Sequence, residues 1–204
     1  GQAVVGRVHI HPAVARAVME TGVAQIPVDL DEYRERLERR LGKSQELMRM
    51  VIHKAQKSPK RVVFPEGDQD KILRAARILI DEKIAKPILL GAASKILARA
   101  EALHLHLNGE VEIIDPCESE LTSQYLPEFM SLRQRKGVTH TEAPHLLADP
   151  TRFGAMMVHC GDADALIAGL TQHYPDTIRP ALEVIAKKEG IAKVSGMYML
   201  ITQR

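Results

Sequence analysis

The sequence predicts an α/β protein with a parallel sheet between two layers of helices. Short runs rich in Val, Ile and Leu, such as Arg61–Phe64 and Pro87–Leu90, alternate with amphipathic stretches of helical period. Strands separated by helices pair in parallel through right-handed crossovers. Aromatic residues make up only 3% of a chain that is 45% apolar, which suits the small aliphatic cores of parallel sheets.

The first 58 residues are predicted to form a helical linker. The helix over 11–22 has Pro12 at its first position and Gly22 as its stop, and further helices are predicted over 29–41 and 44–56. A membrane-surface helix is the alternative, but acids and bases are mixed along these segments, which argues against it.

From Arg61 the strands and helices alternate, and we expect two subdomains with a cleft between them, over 59–152 and from 153 to 204. Strands are predicted at Arg61–Phe64, Pro87–Leu90, Val111–Ile114, Ala163–Ala168 and Val194–Ile201. Helices are predicted at Gln69–Asp81, Ala92–Leu103, Glu120–Lys136, Thr141–Ala148, Thr151–Cys160 and Asp176–Lys187. A buried-type strand close to Arg204 leaves the sheet unfinished, so we expect the second subdomain to be incomplete at the C-terminus.

Charge and composition exclude several classes of function. The net charge of +2 and the scarcity of aromatic residues do not favour nucleic-acid binding. No apolar run approaches the roughly 18 residues that span a membrane. Cys117 and Cys160 lack metal-ligand spacing, so we expect reduced thiols and a cytoplasmic location.

The turn Glu66-Gly67-Asp68 follows the first strand, at the sheet edge where α/β proteins bind ligands. Two carboxylates at a helix N-terminus favour the helix dipole and would repel an anion. We therefore interpret the turn as an acidic cap, with a phosphate cradle as the alternative and a further role for Glu66 at the cleft edge.

Two cationic segments are candidate anion sites. "LRQRKG" at 132–137 places three cations at a helix C-terminus, where they either complement the dipole or bind an anion through Arg133. "GLTQHYPDTIRP" at 169–180 carries Thr171, Tyr174, Asp176 and Arg179. Asp176 is predicted to be a helix N-cap, and Arg179 a cation facing a ligand.

Metal binding and nucleophilic catalysis are not predicted. His104 and His106 could chelate a metal only from a strand, and no third ligand is evident. No Ser or Cys nucleophile can be paired with a base, because such partners meet only in the folded protein.

These segments, taken in order, resemble the phosphotransacetylase (phosphate acetyl/butaryl transferase) family. The resemblance rests on "RVVFPEGDQDKILRAARIL", "KPILLG", "LRQRKGVT", "DPTRFGAMMVHCGDADALIAGL", "DTIRPALEVI" and "VSGMYML". The arm "HPAVARAVMETGVAQIPVDLDEYRERLERRLGKSQELMRMV" resembles the linker of hybrid bacterial malic enzymes, in which a malic enzyme precedes a phosphotransacetylase-like domain.

The resemblance implies a regulatory domain that binds acetyl-CoA as an allosteric inhibitor and holds an oligomer together, a dimer or larger, and a hexamer in the parent. The parent would decarboxylate malate oxidatively to pyruvate with NADP or NAD and Mg²⁺ or Mn²⁺, all in a preceding domain. Arg133 and Arg179 match arginines that contact coenzyme A or phosphate in the family, and Thr171, Tyr174 and Asp176 complete the expected acetyl-CoA site.

One departure from the family pattern bears on catalysis. His173-Tyr174-Pro175 replace small hydroxyl residues, and the family's catalytic Ser-Arg and Asp positions would lie beyond Arg204, so no catalytic residue is assigned here. The alternative functions are an active phosphate acetyltransferase, which converts acetyl-CoA and phosphate to acetyl phosphate and CoA, and a purely structural dimerisation domain.

Overall fold

The structure is a computed structural model. It describes residues 42–107 and 109–185, together with Glu20, Asp29 and Gly190. The chain divides into two compact units, Gly1–His53 with Met197–Arg204, and Lys54–Gly196. The boundary that we predicted between residues 152 and 153 lies inside the second unit. The assignment of two subdomains and a cleft stays a prediction.

The first helix, α1, spans Gly42–Lys57 and confirms the helix predicted over 44–56. Met48, Met50 and Val51 are exposed on it. The predicted helices over 11–22 and 29–41 and the predicted strand over 194–201 lie outside the described residues. Within the described part of the chain, no helix is both long enough and apolar enough to cross a membrane.

The second unit contains a parallel sheet of four strands in the order β3-β2-β1-β4, which confirms the predicted α/β class. The strands are β1 (Lys60–Phe64), β2 (Ala85–Leu90), β3 (Glu112–Ile114) and β4 (Ala165–Leu166). The helices are α2 (Asp70–Asp81), α3 (Ala93–Ala102), α4 (Glu120–Arg133), α5 (Ala143–Leu147), α6 (Pro150–Cys160) and α7 (Tyr174–Val184).

The sheet lies between two helical layers because successive strand residues point to opposite faces. Val62 and Phe64 pack with α2 and α3 in one core cluster. Val63 packs in the other with residues of α4, α5, α6 and α7, among them Phe153 and Val184. The predicted three-layer arrangement is therefore present, and residues on both sides of position 152 share one core.

The helix boundaries follow local capping chemistry. α4 continues into a turn of 3₁₀ helix over Gln134–Lys136 and ends at Gly137, whose φ of 96° suits glycine. Asp149 separates α5 from α6 as predicted, and its carboxylate accepts a hydrogen bond from the Arg152 backbone N–H at 3.1 Å.

The strand predicted at Ala163–Ala168 is shorter and less buried than expected. β4 covers only Ala165–Leu166, both partly exposed, and among the described strands it pairs with β1 alone. Ile167 is 54% exposed. An apolar run indicates a strand, but its burial depends on what covers it in the folded protein.

Gly67 packs against the end of β2 with no room for a side chain. A Cβ atom there would lie 2.6 Å from the Leu90 carbonyl oxygen and 3.0 Å from the Leu89 Cβ. The Gly67 N–H donates to that same oxygen at 3.2 Å. Only glycine therefore lets the turn after β1 approach β2 this closely.

We expect Gly67→Ala to lower the free energy of unfolding by about 1–3 kcal/mol, because the turn must move away from β2. Urea titration of the chain, followed by far-UV circular dichroism, measures this. Asp68→Ala alters the exposed neighbouring residue and serves as the control. Equal midpoints for the two variants would show that the turn shifts without cost.

Candidate ligand site after strand β4

A cavity of about 370 Å³ opens where β4 ends and α7 begins. The residues lining it are Leu166, Ala168, Gly169, Gln172, Tyr174, Thr177, Ile178 and Ala181. In open parallel sheets this carboxyl edge is where ligands bind. The lining is largely apolar with a few hydroxyl and amide groups, which is typical of small-molecule sites.

The chain enters this site through Gly169, where φ is 102°. A Cβ atom on that residue would lie 3.4 Å from the Thr177 hydroxyl oxygen, so the loop also passes close to the first turn of α7. Gln172 is fixed from the side of α6, since the buried Thr151 hydroxyl donates to its side-chain oxygen at 3.3 Å. The loop is thus held at more than one point.

Glu66 reaches from the end of β1 and binds the loop after β4. Its carboxylate accepts hydrogen bonds from the backbone N–H groups of Gly169, Leu170 and Thr171 at 3.1, 2.9 and 2.5 Å, and from the Thr171 hydroxyl at 2.6 Å. Partial burial raises the pKa of Glu66, but these hydrogen bonds outweigh that effect and hold the pKa below its ordinary value.

The predicted acidic cap at this turn is wrong. The N-cap of α2 is Gln69, which makes no side-chain capping hydrogen bond. The Asp68 carboxylate instead accepts from the Gln69 side-chain amide at 3.0 Å. Glu66 is not available as a cap because its oxygens are taken by the loop on the neighbouring strand.

Four of the five residues predicted for the site lie close together in sequence, Thr171 on the β4–α7 connection and the other three at the start of α7. Tyr174 lines the cavity and is 72% exposed. Thr171 is bound to Glu66, and Asp176 and Arg179 lie exposed in the first two turns of α7. No ion pair of Arg179 is found with the residues that the structure describes.

Asp176 is not the N-cap of α7, contrary to our prediction. The helix starts at Tyr174 and its N-cap is His173. Pro175 explains the earlier start, because its fixed φ suits the first helical turn. Asp176 is the third residue of the helix, still in its first turn, where its charge complements the helix dipole.

Arg133 lies apart from the cavity, at the end of α4. Its Nη2 atom is 3.8 Å from Glu183 on α7, while Arg152 on α6 donates to the same carboxylate from Nε at 3.0 Å. All three side chains are about one-fifth exposed. The Arg133 Nε atom is buried and has no hydrogen-bond partner in the part of the chain described. Glu183 therefore links α7 to both α4 and α6.

The sequence did not predict two sets of side-chain contacts in this region, those of Glu66 and those of Glu183. The role of Glu66 as a bridge to the loop depends on β1 and β4 being neighbours, although they are about a hundred residues apart along the chain. Glu183 lies within the segment "DTIRPALEVI", but we assigned it no role. The signal for such a role was its place on α7 four residues after Arg179, on the same face of the helix.

The histidines considered as metal ligands lie elsewhere. His104 and His106 line a separate cavity of about 690 Å³ after α3. Within residues 42–107 and 109–185, no group of three His, Cys, Asp or Glu side chains converges as metal ligands would.

The fold and the site define an α/β protein with a cavity at the carboxyl edge of a parallel sheet. The chain belongs to the phosphate acetyl/butaryl transferase family, whose sequence model matches residues 46–204.

Two kinds of curated relative are similar to this chain. An NADP-dependent malic enzyme of Escherichia coli is 35% identical over 95% of this chain and 26% of its own length. An NAD-dependent malic enzyme of Rhizobium meliloti is 36% identical over 96% of the chain and 26% of its own length. A phosphate acetyltransferase of Nitratidesulfovibrio vulgaris is 39% identical over 74% of the chain and 21% of its own length.

Solved structures agree with the fold. A phosphotransacetylase from Streptococcus pyogenes superposes with a TM-score of 0.69 at 31% identity, over 73% of this chain and 45% of that one. The EutD phosphotransacetylase from Staphylococcus aureus gives 0.66 at 33% identity, over 73% and 44%. The chain thus spans about a quarter or less of these curated relatives and under half of these structures.

Proposed function

We propose that the chain is the regulatory, acetyl-CoA-binding domain of an NAD(P)-dependent malic enzyme. The main support for the proposal is the length of this chain over which the malic enzymes align. The malic enzymes align over 95–96% of the chain, so they must match well into the residues before Glu46, where the family model begins. The phosphate acetyltransferase aligns over only 74%.

The chemistry of the cavity supports an anionic, partly apolar ligand. Arg179 is an exposed cation on α7, one residue after Ile178 of the cavity wall, and its guanidinium can bind a phosphate with two hydrogen bonds. The exposed ring of Tyr174 offers a flat surface for an adenine or an acyl group. Thr171 and Asp176 complete the proposed site. Arg133 does not line the cavity, and it remains in the proposal because its Nε has no hydrogen-bond partner among the described residues.

The rest of the proposal concerns the parent protein. It would oxidise and decarboxylate malate to pyruvate in a preceding domain that holds NADP or NAD and Mg²⁺ or Mn²⁺. The present domain would lower that activity when acetyl-CoA binds, and would hold a dimer or a hexamer together. The exposed cysteines Cys117 and Cys160 suit a reducing cytoplasm.

Arg179→Ala tests the proposal in the full-length malic enzyme. We expect the acetyl-CoA concentration for half-inhibition of malate oxidation to rise about 10- to 150-fold, because an Arg–phosphate contact is typically about 1.5–3 kcal/mol. NADPH or NADH absorbance at several acetyl-CoA concentrations gives this value.

The control is Arg74→Ala, which removes an exposed arginine from α2 in the other helical layer. It should leave the inhibition unchanged. Equal half-inhibition in wild type and Arg179→Ala would remove Arg179 from the site. Absence of any inhibition by acetyl-CoA in the wild type would overturn the regulatory function itself.

An active phosphate acetyltransferase is the second candidate, and the 39% identity to such an enzyme favours it. Direct attack of the coenzyme A thiolate on bound acetyl phosphate would need only positioning and stabilisation of charge by arginines. Turnover of about 1 per second or more in a coupled assay would establish this function in place of the regulatory one.

A further inference from the structure

We propose that Glu66 is a positioning residue for the acetyl-CoA site, holding the loop 169–171 so that the wall of the cavity after β4 keeps its shape. The inference rests on the proposed function for the identity of the ligand. Glu66 itself does not line the cavity. It would act on the ligand only through the loop that it binds.

The hydrogen bonds of Glu66 satisfy the backbone N–H groups of this loop segment. One carboxylate takes all three successive backbone N–H groups of the loop and the Thr171 hydroxyl. Three adjacent N–H groups aimed at one place form a concave anion-binding nest. The carboxylate that fills it comes from the same chain, so the loop is ordered before any ligand arrives.

The position of the loop explains why this matters for binding. Gly169 is itself part of the cavity wall. Gln172, which directly follows Thr171, and Tyr174, two residues later, belong to the same wall. If the nest lost its carboxylate, its N–H groups would turn to solvent. The segment 169–171 would then lose the hydrogen bonds that fix it, and only Gln172 would keep its bond to Thr151. Ligand binding would then include the cost of ordering the loop.

The low pKa of Glu66 agrees with this arrangement, since the carboxylate stays ionised while it accepts these hydrogen bonds. The left-handed backbone of Gly169 brings its N–H into the nest. Charge, and not merely the volume of the side chain, is therefore the property of Glu66 that the loop requires.

Glu66→Gln and Glu66→Asp separate charge from volume. Glutamine matches glutamate in size but presents an amide donor to a nest made of donors, whereas aspartate keeps the charge and loses one methylene. We expect isothermal titration of the full-length protein with acetyl-CoA to show affinity weakened about tenfold or more by Gln and less by Asp. A role through volume alone would reverse that order and overturn the proposal.

Asp164→Asn is the matched control. Asp164 joins the same two strands at their opposite end, accepting from the Arg61 backbone N–H at 2.8 Å and from the Arg61 side chain at 3.4 Å, and it does not line the cavity. The control should lower stability without a comparable loss of affinity. If it weakens acetyl-CoA binding as much as Glu66→Gln does, general loss of stability is the cause and the proposal fails.

Hydrogen exchange separates this inference from the proposed function. The amides of Gly169, Leu170 and Thr171 should exchange faster in Glu66→Gln than in wild type, whether or not acetyl-CoA binds. If wild type binds no acetyl-CoA, the proposed function fails, and exchange alone then decides whether Glu66 orders the loop. Unchanged exchange at these amides would overturn the inference even if acetyl-CoA binds.

Discussion

Phe153→Ala is expected to lower the free energy of unfolding by about 3–5 kcal/mol, the range for removing a buried phenylalanine. Phe153 on α6 is fully buried in the core shared by α4, α6 and the sheet. Its ring lies 5.4 Å from that of Tyr125, centroid to centroid, with the planes at 56°. The substitution therefore leaves a cavity and also removes a favourable aromatic pair.

Urea titration of the chain by far-UV circular dichroism measures the loss. Phe153→Leu should lose much less, because leucine refills most of the volume. Tyr174→Ala is the control for removing an aromatic ring from the exposed end of α7, and should leave the unfolding midpoint near that of wild type. A change for Phe153→Ala as small as that of the control would mean that α6 does not belong to the core.

Glu183→Gln is expected to lower the free energy of unfolding by about 3 kcal/mol. It removes the counter-ion of the largely buried Arg133 and one of the two carboxylates beside Arg152, which keeps Asp149 at 3.5 Å. Glu183 lies between Arg133 and Arg152, and the three side chains tie α7 to α4 and α6. Glutamine keeps the size of the side chain and removes only its charge. The loss is therefore electrostatic and not a loss of packing.

The control variant for Glu183→Gln is Asp70→Asn. Asp70 accepts from Arg99 at 2.5 and 2.9 Å, but the pair is exposed to solvent, so its loss should matter far less. Both variants are measured by urea titration at low and at high salt. A similar small, salt-sensitive loss for both would show that the Glu183 cluster behaves as an ordinary surface pair.

Phe153 and Glu183 bear on the proposed function in the same way, because both hold helices next to the cavity in place. Phe153 and Glu183 fix α6 and α7 to the rest of the unit, and α7 carries Tyr174 and Arg179 at its start. A ligand at the cavity after β4 therefore contacts a helix whose far end is anchored. The loop that leads into the start of that helix is held by Glu66 and, through Gln172, by Thr151.

Local sequence pattern was sufficient to predict the class of this protein and most of its described elements, β4 being shorter than predicted. Apolar runs and helical periodicity predicted the bounds of β1, β2, β3 and most helices to within two or three residues. This is possible because the periods of strands and helices depend on residues that are close in sequence. The sequence also placed Thr171, Tyr174, Asp176 and Arg179 close together, because they all follow the same strand within a few residues.

Only the tertiary structure decided what those residues contact. Glu66 looked like a helix cap, but strand order places it beside Gly169, about a hundred residues later, where three free N–H groups outcompete the helix terminus for its carboxylate. Arg133 looked like an anion ligand by its motif, yet α7 places Glu183 beside it. Hydrogen bonds and ion pairs form with whatever lies within a few ångströms, and for these side chains that distance is set by the fold and not by the order of the residues.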